Sequence, residues 1–144
     1  MKEKSPVSTC LYCQRNQAQK DLMLDICDLD VSRVFLFKEQ TYRGRCVVAY
    51  KKHVDEFFEL PDAQRNALMK DVARVCKAMS EVLGAEKINI GAYSDTLSHL
   101  HFHLAPKYKG GPDYPGVFQM NPKAVYLSDK EYSELISKIK AKLI

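Results

Sequence analysis

The chain has 144 residues, 46% of them hydrophobic, which suits one domain (1–144) with one real core, and no run approaches the roughly 18 apolar residues of a membrane span. The start, Met1-Lys2-Glu3-Lys4-Ser5-Pro6, has charges but no apolar leader behind them, and five cysteines (Cys10, Cys13, Cys27, Cys46, Cys76) are an odd number at uneven spacing, so a soluble protein of a reducing, cytoplasmic compartment is expected rather than a secreted disulfide framework. A net charge of +4 is too mild to announce a nucleic-acid partner, but the excess falls mainly on residues 31–60 and 99–124, +2 each, and those two segments hold all four histidines.

Residues 5–30 are mixed and polar, with Cys10-Leu11-Tyr12-Cys13 followed by Asp21, Asp25, Asp28 and Asp30, and read as a loosely structured arm with at most a short helix. Val34-Phe35-Leu36-Phe37 and Cys46-Val47-Val48-Ala49-Tyr50 are β-branched and aromatic and flank the turn-like Tyr42-Arg43-Gly44-Arg45, which predicts two antiparallel strands. From Asp62 to Leu83 the residues Leu68, Val72, Val75, Cys76, Met79, Val82 and Leu83 recur at helical spacing between Pro61 and Gly84, which predicts a long amphipathic helix. Residues 87–93 and 100–107 read as further strands. A closing helix begins at Ser128, which forms a capping-box pattern with Glu131 and precedes an apolar face of Tyr132, Leu135, Ile136, Ile139 and Leu143. This order predicts an α+β domain with helices packed on an antiparallel sheet.

Three histidines alternate with apolar residues in His99-Leu100-His101-Phe102-His103-Leu104-Ala105. On a strand, Leu100, Phe102 and Leu104 would enter the core while the imidazoles line the other face, roughly 6.5 to 7 Å apart at the backbone. Two chemistries use such a row. A neutral imidazole can attack phosphorus while its neighbours orient it and serve the leaving group, and histidine suits this because its pKa lies near neutrality. Alternatively, all three could ligate a catalytic zinc or iron.

The motif resembles the signature of the histidine triad (HIT) family. The resemblance extends to Gly44-Arg45-Cys46-Val47-Val48-Ala49-Tyr50-Lys51-Lys52-His53, to the helix at 62–83 and to Lys87-Ile88-Asn89-Ile90, and it covers a core of roughly residues 10 to 108, with 109–144 forming a C-terminal loop and helix. It implies a HIT-like fold of about five antiparallel strands, one long amphipathic helix and a C-terminal helix, assembled as a homodimer. It also implies cleavage at the α-phosphate of a nucleotide, in dinucleoside polyphosphates or nucleoside phosphoramidates, through a nucleotidyl-histidine. His101 would be the nucleophile, with His99 and His103 in phosphate contact and proton traffic. Asn89 and Thr96 stand where the family places polar groups that touch nucleophile or phosphate. Asp95 stands where glutamine is usual, and a carboxylate beside a phosphate costs Coulomb energy unless it is turned away or paired. Glu39 is the nearest candidate for a ribose contact.

A lone C-x-x-C, Cys10 to Cys13, reads equally as a redox pair, half a zinc site or an incidental spacing. Some HIT proteins share it, and in them zinc is held by both cysteines, the histidine after the second strand and the first triad histidine. Carried over, the ligands are Cys10, Cys13, His53 and His99, a structural zinc that would tie the arm to the sheet. The Gly/Pro-rich stretch 107–118 reads either as a specificity lid or as a plain connection. The expected function is that of a nucleotide hydrolase or nucleotidyl transferase without nucleic-acid or membrane partners. The competing expectations are a nucleotide-binding interaction module with weak turnover and a metal-dependent hydrolase using the three histidines.

Overall fold

The β-branched and aromatic runs form the centre of one antiparallel sheet, and alternate residues divide between its two faces. The structure, a computed structural model, describes residues 5–144. The Met1–Lys4 start, read above for its lack of an apolar leader, lies outside the described residues. The strands are β1 (Met23–Asp28), β2 (Ser32–Phe37), β3 (Cys46–Tyr50), β4 (Lys87–Gly91) and β5 (His101–Lys107), in the order β1-β2-β3-β5-β4. Four helices accompany them: α1 (Leu11–Gln14), α2 (Gln17–Leu22), α3 (Asp62–Leu83) and α4 (Asp129–Leu143). This is the expected α+β architecture with five antiparallel strands, one long helix and a C-terminal helix.

Val34, Leu36, Cys46, Val48, Phe102 and Leu104 face α3 and α4 and pack with Leu68, Val72, Val75, Met79, Leu135 and Ile139 into the main core. Each such aliphatic side chain contributes about 1.5–3 kcal/mol on burial. The opposite face carries Phe35, Phe37, Val47 and Ala49, covered by Leu11, Tyr12 and Met23. Helix α3 is pinned in register by the fully buried Asp71, which accepts from Val31 N (3.1 Å) and Ser32 Oγ (2.7 Å). The turn into β3 requires Gly44, whose φ is +94° and where a Cβ would collide with the Leu83 methyls. Ser128 and Glu131 form the expected capping box at the start of α4.

Three expectations need correction. The 5–30 segment is ordered into α1, α2 and β1, which pairs antiparallel with β2 along the sheet edge. A bulge between Asp25 and Cys27 puts Ile26 and Cys27 both toward the helices, so the alternation that marks a strand is broken in the sequence. The fourth strand ends at Gly91 rather than 93, and His99 precedes β5, which starts at His101.

Candidate functional site

Strand β5 aligns His101 with Ala49 and His103 with Val47, so both imidazoles stand on the face away from the long helix, with ring centroids 5.1 Å apart. All three triad histidines are buried, between 2% and 7% exposed. The Tyr12 ring leans on His99 (5.1 Å) and His101 (4.9 Å), so the cysteine-bearing helix α1 roofs this end of the row.

The hydrogen bonds give the imidazoles different jobs. His101 Nδ1 lies 2.6 Å from the His99 carbonyl, which can only accept. The His101 proton therefore sits on Nδ1, with Ser94 Oγ also 3.4 Å away, and Nε2 keeps its lone pair. Burial also lowers the pKa of His101, which favours the neutral ring a nucleophile needs. His103 Nδ1 is 2.9 Å from Nη2 of Arg45. Phe37 and Phe118 pack against His103.

His101 and His103 open into a cleft of about 320 Å³ walled by Leu22, Met23, Phe37, Leu97 and Met120, with Tyr12, Ser94, Asp95, Thr96, Asn121 and Lys123 also on its lining. It is large enough for a small organic ligand, and its walls are mostly apolar with a few polar groups at the rim. Of the residues expected from sequence, Asp95 and Thr96 line this cleft and are exposed. Asn89 aligns with Ala105 on the triad face, one pair beyond the Gly91–His103 pair, and is not among the lining residues. Glu39 is spent elsewhere: its carboxylate accepts from Thr41 N and Oγ1 and from Ala124 N and Val125 N at 2.7–2.8 Å. Burial alone would raise its pKa, but these bonds outweigh it and hold the group ionised as an anchor for residues 124–125.

The 107–118 stretch is a fastened connection. The buried Lys107 ammonium donates to the Asp113 carbonyl and to that of Gly116 (2.8 Å), and Tyr108 OH donates to the Arg43 carbonyl (2.6 Å). From the stretch that follows, Met120, Asn121 and Lys123 line the cleft. The basic surplus of residues 31–60 is also mostly structural: Arg43 pairs with Glu131 (3.3 Å), and Lys51 donates to the Leu29 carbonyl (2.6 Å). Among the described residues, Lys123 lines the cleft and Arg45 contacts His103 from behind it. Sequence reasoning missed Arg45, Tyr12, Ser94 and the wall at 120–123. An arginine leading directly into an all-apolar strand was the available signal for the first.

Beside the row, His99 Nε2 lies 2.6 Å from the Tyr50 carbonyl and His53 Nε2 lies 2.7 Å from that of Ser5, so each ring carries its proton there. Their Nδ1 lone pairs consequently face each other at 3.4 Å, an arrangement that no hydrogen bond between the two rings satisfies. Cys10 Sγ is 3.3 Å and Cys13 Sγ 3.5 Å from His99 Nδ1, and Cys13 Sγ is 3.3 Å from His53 Nδ1. The four donors lie within 4.8 Å of one another. Tetrahedral bonds of about 2.0–2.3 Å put ligand atoms roughly 3.3–3.8 Å apart, so this set fits a zinc-type ion. Burial, with a smaller effect of neighbouring Cys10, pushes the Cys13 thiol up to about 11, so the thiolate form calls for a cation.

Burial, followed by the Arg45 and His101 charges, lowers the His103 pKa to about 3. The unfolded chain, with histidine near 6.5, then binds a proton the folded chain refuses, so stability present above about pH 6.5 is lost as pH falls toward 3. His103→Gln is expected to lose less stability than wild type between pH 6.5 and 4 in urea titrations. Parallel losses in the two proteins would contradict this.

An open antiparallel sheet with an alternating histidine row facing a cleft defines a histidine triad protein. The HIT domain model matches residues 23–110, and the chain belongs to the HIT family. Proteins of this family bind nucleotides, include hydrolases and transferases, and are often dimers. An uncharacterised HIT-like protein from Methanocaldococcus jannaschii is 30% identical over 73 residues, 47% of this chain and 56% of its own length. The match therefore spans little more than half of that relative. Two solved structures share the fold. A histidine triad protein from Bradyrhizobium japonicum superposes with a TM-score of 0.82 over 90% of this chain and 96% of its own, at 24% identity. A Zn-bound histidine triad family protein from Mycobacterium smegmatis gives 0.69 over 96% and 97%, at 19% identity. Among the described residues no helix is long and apolar enough to cross a membrane.

Proposed function

We propose that the protein is a nucleotide hydrolase or nucleotidyl transferase acting at the α-phosphate of dinucleoside polyphosphates or nucleoside phosphoramidates, with His101 as nucleophile. The observation that carries this reading is the His101 Nδ1 contact to the His99 carbonyl, which leaves the Nε2 lone pair for the cleft. In the first step Nε2 bonds to phosphorus as the P–O or P–N bond to the leaving group breaks, and the leaving group takes up a proton. In the second, water attacks phosphorus, the N–P bond breaks, and the nucleoside monophosphate departs. The apolar walls of Leu22, Met23 and Phe37 suit a base, and Thr96 and Lys123 suit phosphate oxygens. Asn89 belongs to this reading as a second polar group of the triad face. The test is turnover of both substrate classes, with mass-spectrometric trapping of an adduct on His101.

The reading includes a structural zinc held by Cys10, Cys13, His53 and His99, supported by the facing Nδ1 lone pairs and by the Zn-bound relative. Such an ion would fasten Tyr12 and the His99 carbonyl against the nucleophile. A metal held by all three triad histidines is disfavoured, because His103 already faces a guanidinium and His99 is committed to the cysteine cluster. A homodimer is part of the proposal, supported by the edge position of β4 and the exposure of Ile90 and Tyr93 beside it, and sedimentation tests it. A cytoplasmic setting accords with five free cysteines.

Asp95 on the exposed rim opposes a polyanion. Asp95→Asn is expected to lower KM for a dinucleoside polyphosphate by about threefold to tenfold at low salt, with the gain shrinking as salt rises. An unchanged KM would show the carboxylate turned from the phosphates.

A further inference from the structure

Arg45 is fully buried immediately before β3, yet among the described residues no carboxylate lies within ion-pair distance of it. Its guanidinium sits over the Phe37 ring (4.3 Å) and near that of Phe118 (5.1 Å), and its Nε has no hydrogen-bond partner. Burying a charge with no direct ion pair is costly even with the Glu39 carboxylate near enough to offset part of it, and a buried cation spent in this way calls for a use. The remaining nitrogens are aimed: Nη1 donates to the Gln119 carbonyl (3.2 Å), and Nη2 to Met120 Sδ (3.3 Å) and His103 Nδ1 (2.9 Å).

We propose that Arg45 is a positioning residue for the transfer reaction, one that fixes His103 in the tautomer carrying its proton on Nε2 and polarises that N–H toward the phosphate. Guanidinium is donor-only, so a 2.9 Å contact requires a lone pair on His103 Nδ1. A neutral ring with Nδ1 as acceptor has its one proton on Nε2. His101 has the opposite arrangement, because a carbonyl that can only accept holds its Nδ1–H. The neighbouring rings thus present a bare nitrogen and an N–H from one strand face, a nucleophile beside a donor for the phosphoryl oxygen. The positive charge behind His103 draws density from the ring and strengthens its Nε2–H bond to a developing negative charge, in surroundings of low dielectric. This role rests on the phosphoryl-transfer reading for its purpose, but the tautomer does not.

The experiment is a long-range ¹H–¹⁵N correlation of the imidazoles in the full-length, metal-replete protein, together with steady-state kinetics of Arg45→Met and Arg45→Lys. Wild type is expected to show His103 protonated on Nε2 and His101 on Nδ1. Arg45→Met should mix or invert the His103 tautomer and lower kcat by about 10²-fold with KM within a few-fold. Arg45→Lys, which keeps charge and donor, should retain the tautomer and stay within about tenfold of wild-type kcat. A wild-type His103 protonated on Nδ1 overturns the proposal even if Arg45→Met does not fold. Equal kinetic losses in both variants with the Nε2–H tautomer kept in both also overturn it, since Arg45 would then act only as a tie to residues 119–120. Absence of turnover in wild type with the expected tautomers would instead overturn the proposed function and leave the tautomer assignment standing.

Discussion

His101→Ala is expected to reduce turnover at least about 10⁴-fold and to abolish the covalent nucleotidyl adduct, while the protein stays folded and still binds nucleotide. The size follows from what is removed: without the imidazole nothing on the triad face offers an unprotonated nitrogen to phosphorus, because His103 Nδ1 is held by Arg45 and His99 Nδ1 faces the cysteines. Losing a covalent nucleophile typically removes several orders of magnitude, and only binding and electrostatic stabilisation remain. Tight binding by the variant with no adduct would fit. An adduct on another residue, or wild-type rates, would reject His101 as nucleophile. The wild type binding nucleotide without turnover would favour an interaction module.

Loss of the Cys/His cluster should have the largest effect on stability. The double variant Cys10→Ser/Cys13→Ser is expected to lose about one zinc per chain and to melt roughly 10–20 °C lower, the shift expected for about 3–5 kcal/mol in a chain of this length. Two consequences combine. The segment from Ser5 through α1 is held to the sheet by this cluster, by Ser5 bonding to Asp55 and by Leu11 and Tyr12 packing on Phe35 and Val47, so part of its order would go with the metal. Tyr12 then loses its seat over His99 and His101, and kcat should fall although no group on the cleft side has changed. Metal analysis and calorimetry of the wild type and double variant decide the matter. A metal-free wild type that melts with the double variant would contradict the zinc reading.

The strong periodicities were legible in the sequence. Helix α3 lies between the predicted Pro61 and Gly84, and the face of β5 divides as His-x-His-x-His requires, because both patterns report burial directly. Strand β1 was not legible, because its bulge spoils the alternation and two of its residues are exposed aspartates at the sheet edge. The cleft was half legible. Its imidazoles come from one contiguous motif, but its walls are assembled from α2, β2, the 93–97 loop and residues 120–123, which only tertiary folding brings together. Glu39 shows the same limit: a carboxylate upstream of the turn suggested a ribose contact, and its actual partners are backbone amides 85 and 86 positions away.

Residues 111–128 are fastened from three sides, by Lys107 on their carbonyls, by Glu39 on the amides of Ala124 and Val125, and by Tyr132 OH on Leu127 N. They follow the 23–110 span that defines the family, yet Met120, Asn121 and Lys123 complete one wall of the cleft. One wall of the cleft is therefore contributed by chain beyond the stretch that carries the histidines, while the rest of the lining lies within or before it. Substitutions at Met120, Asn121 and Lys123 would reshape that wall while the contact of His101 with the His99 carbonyl stays as it is. The shape of the cleft can therefore vary along one wall with no change in the histidine motif.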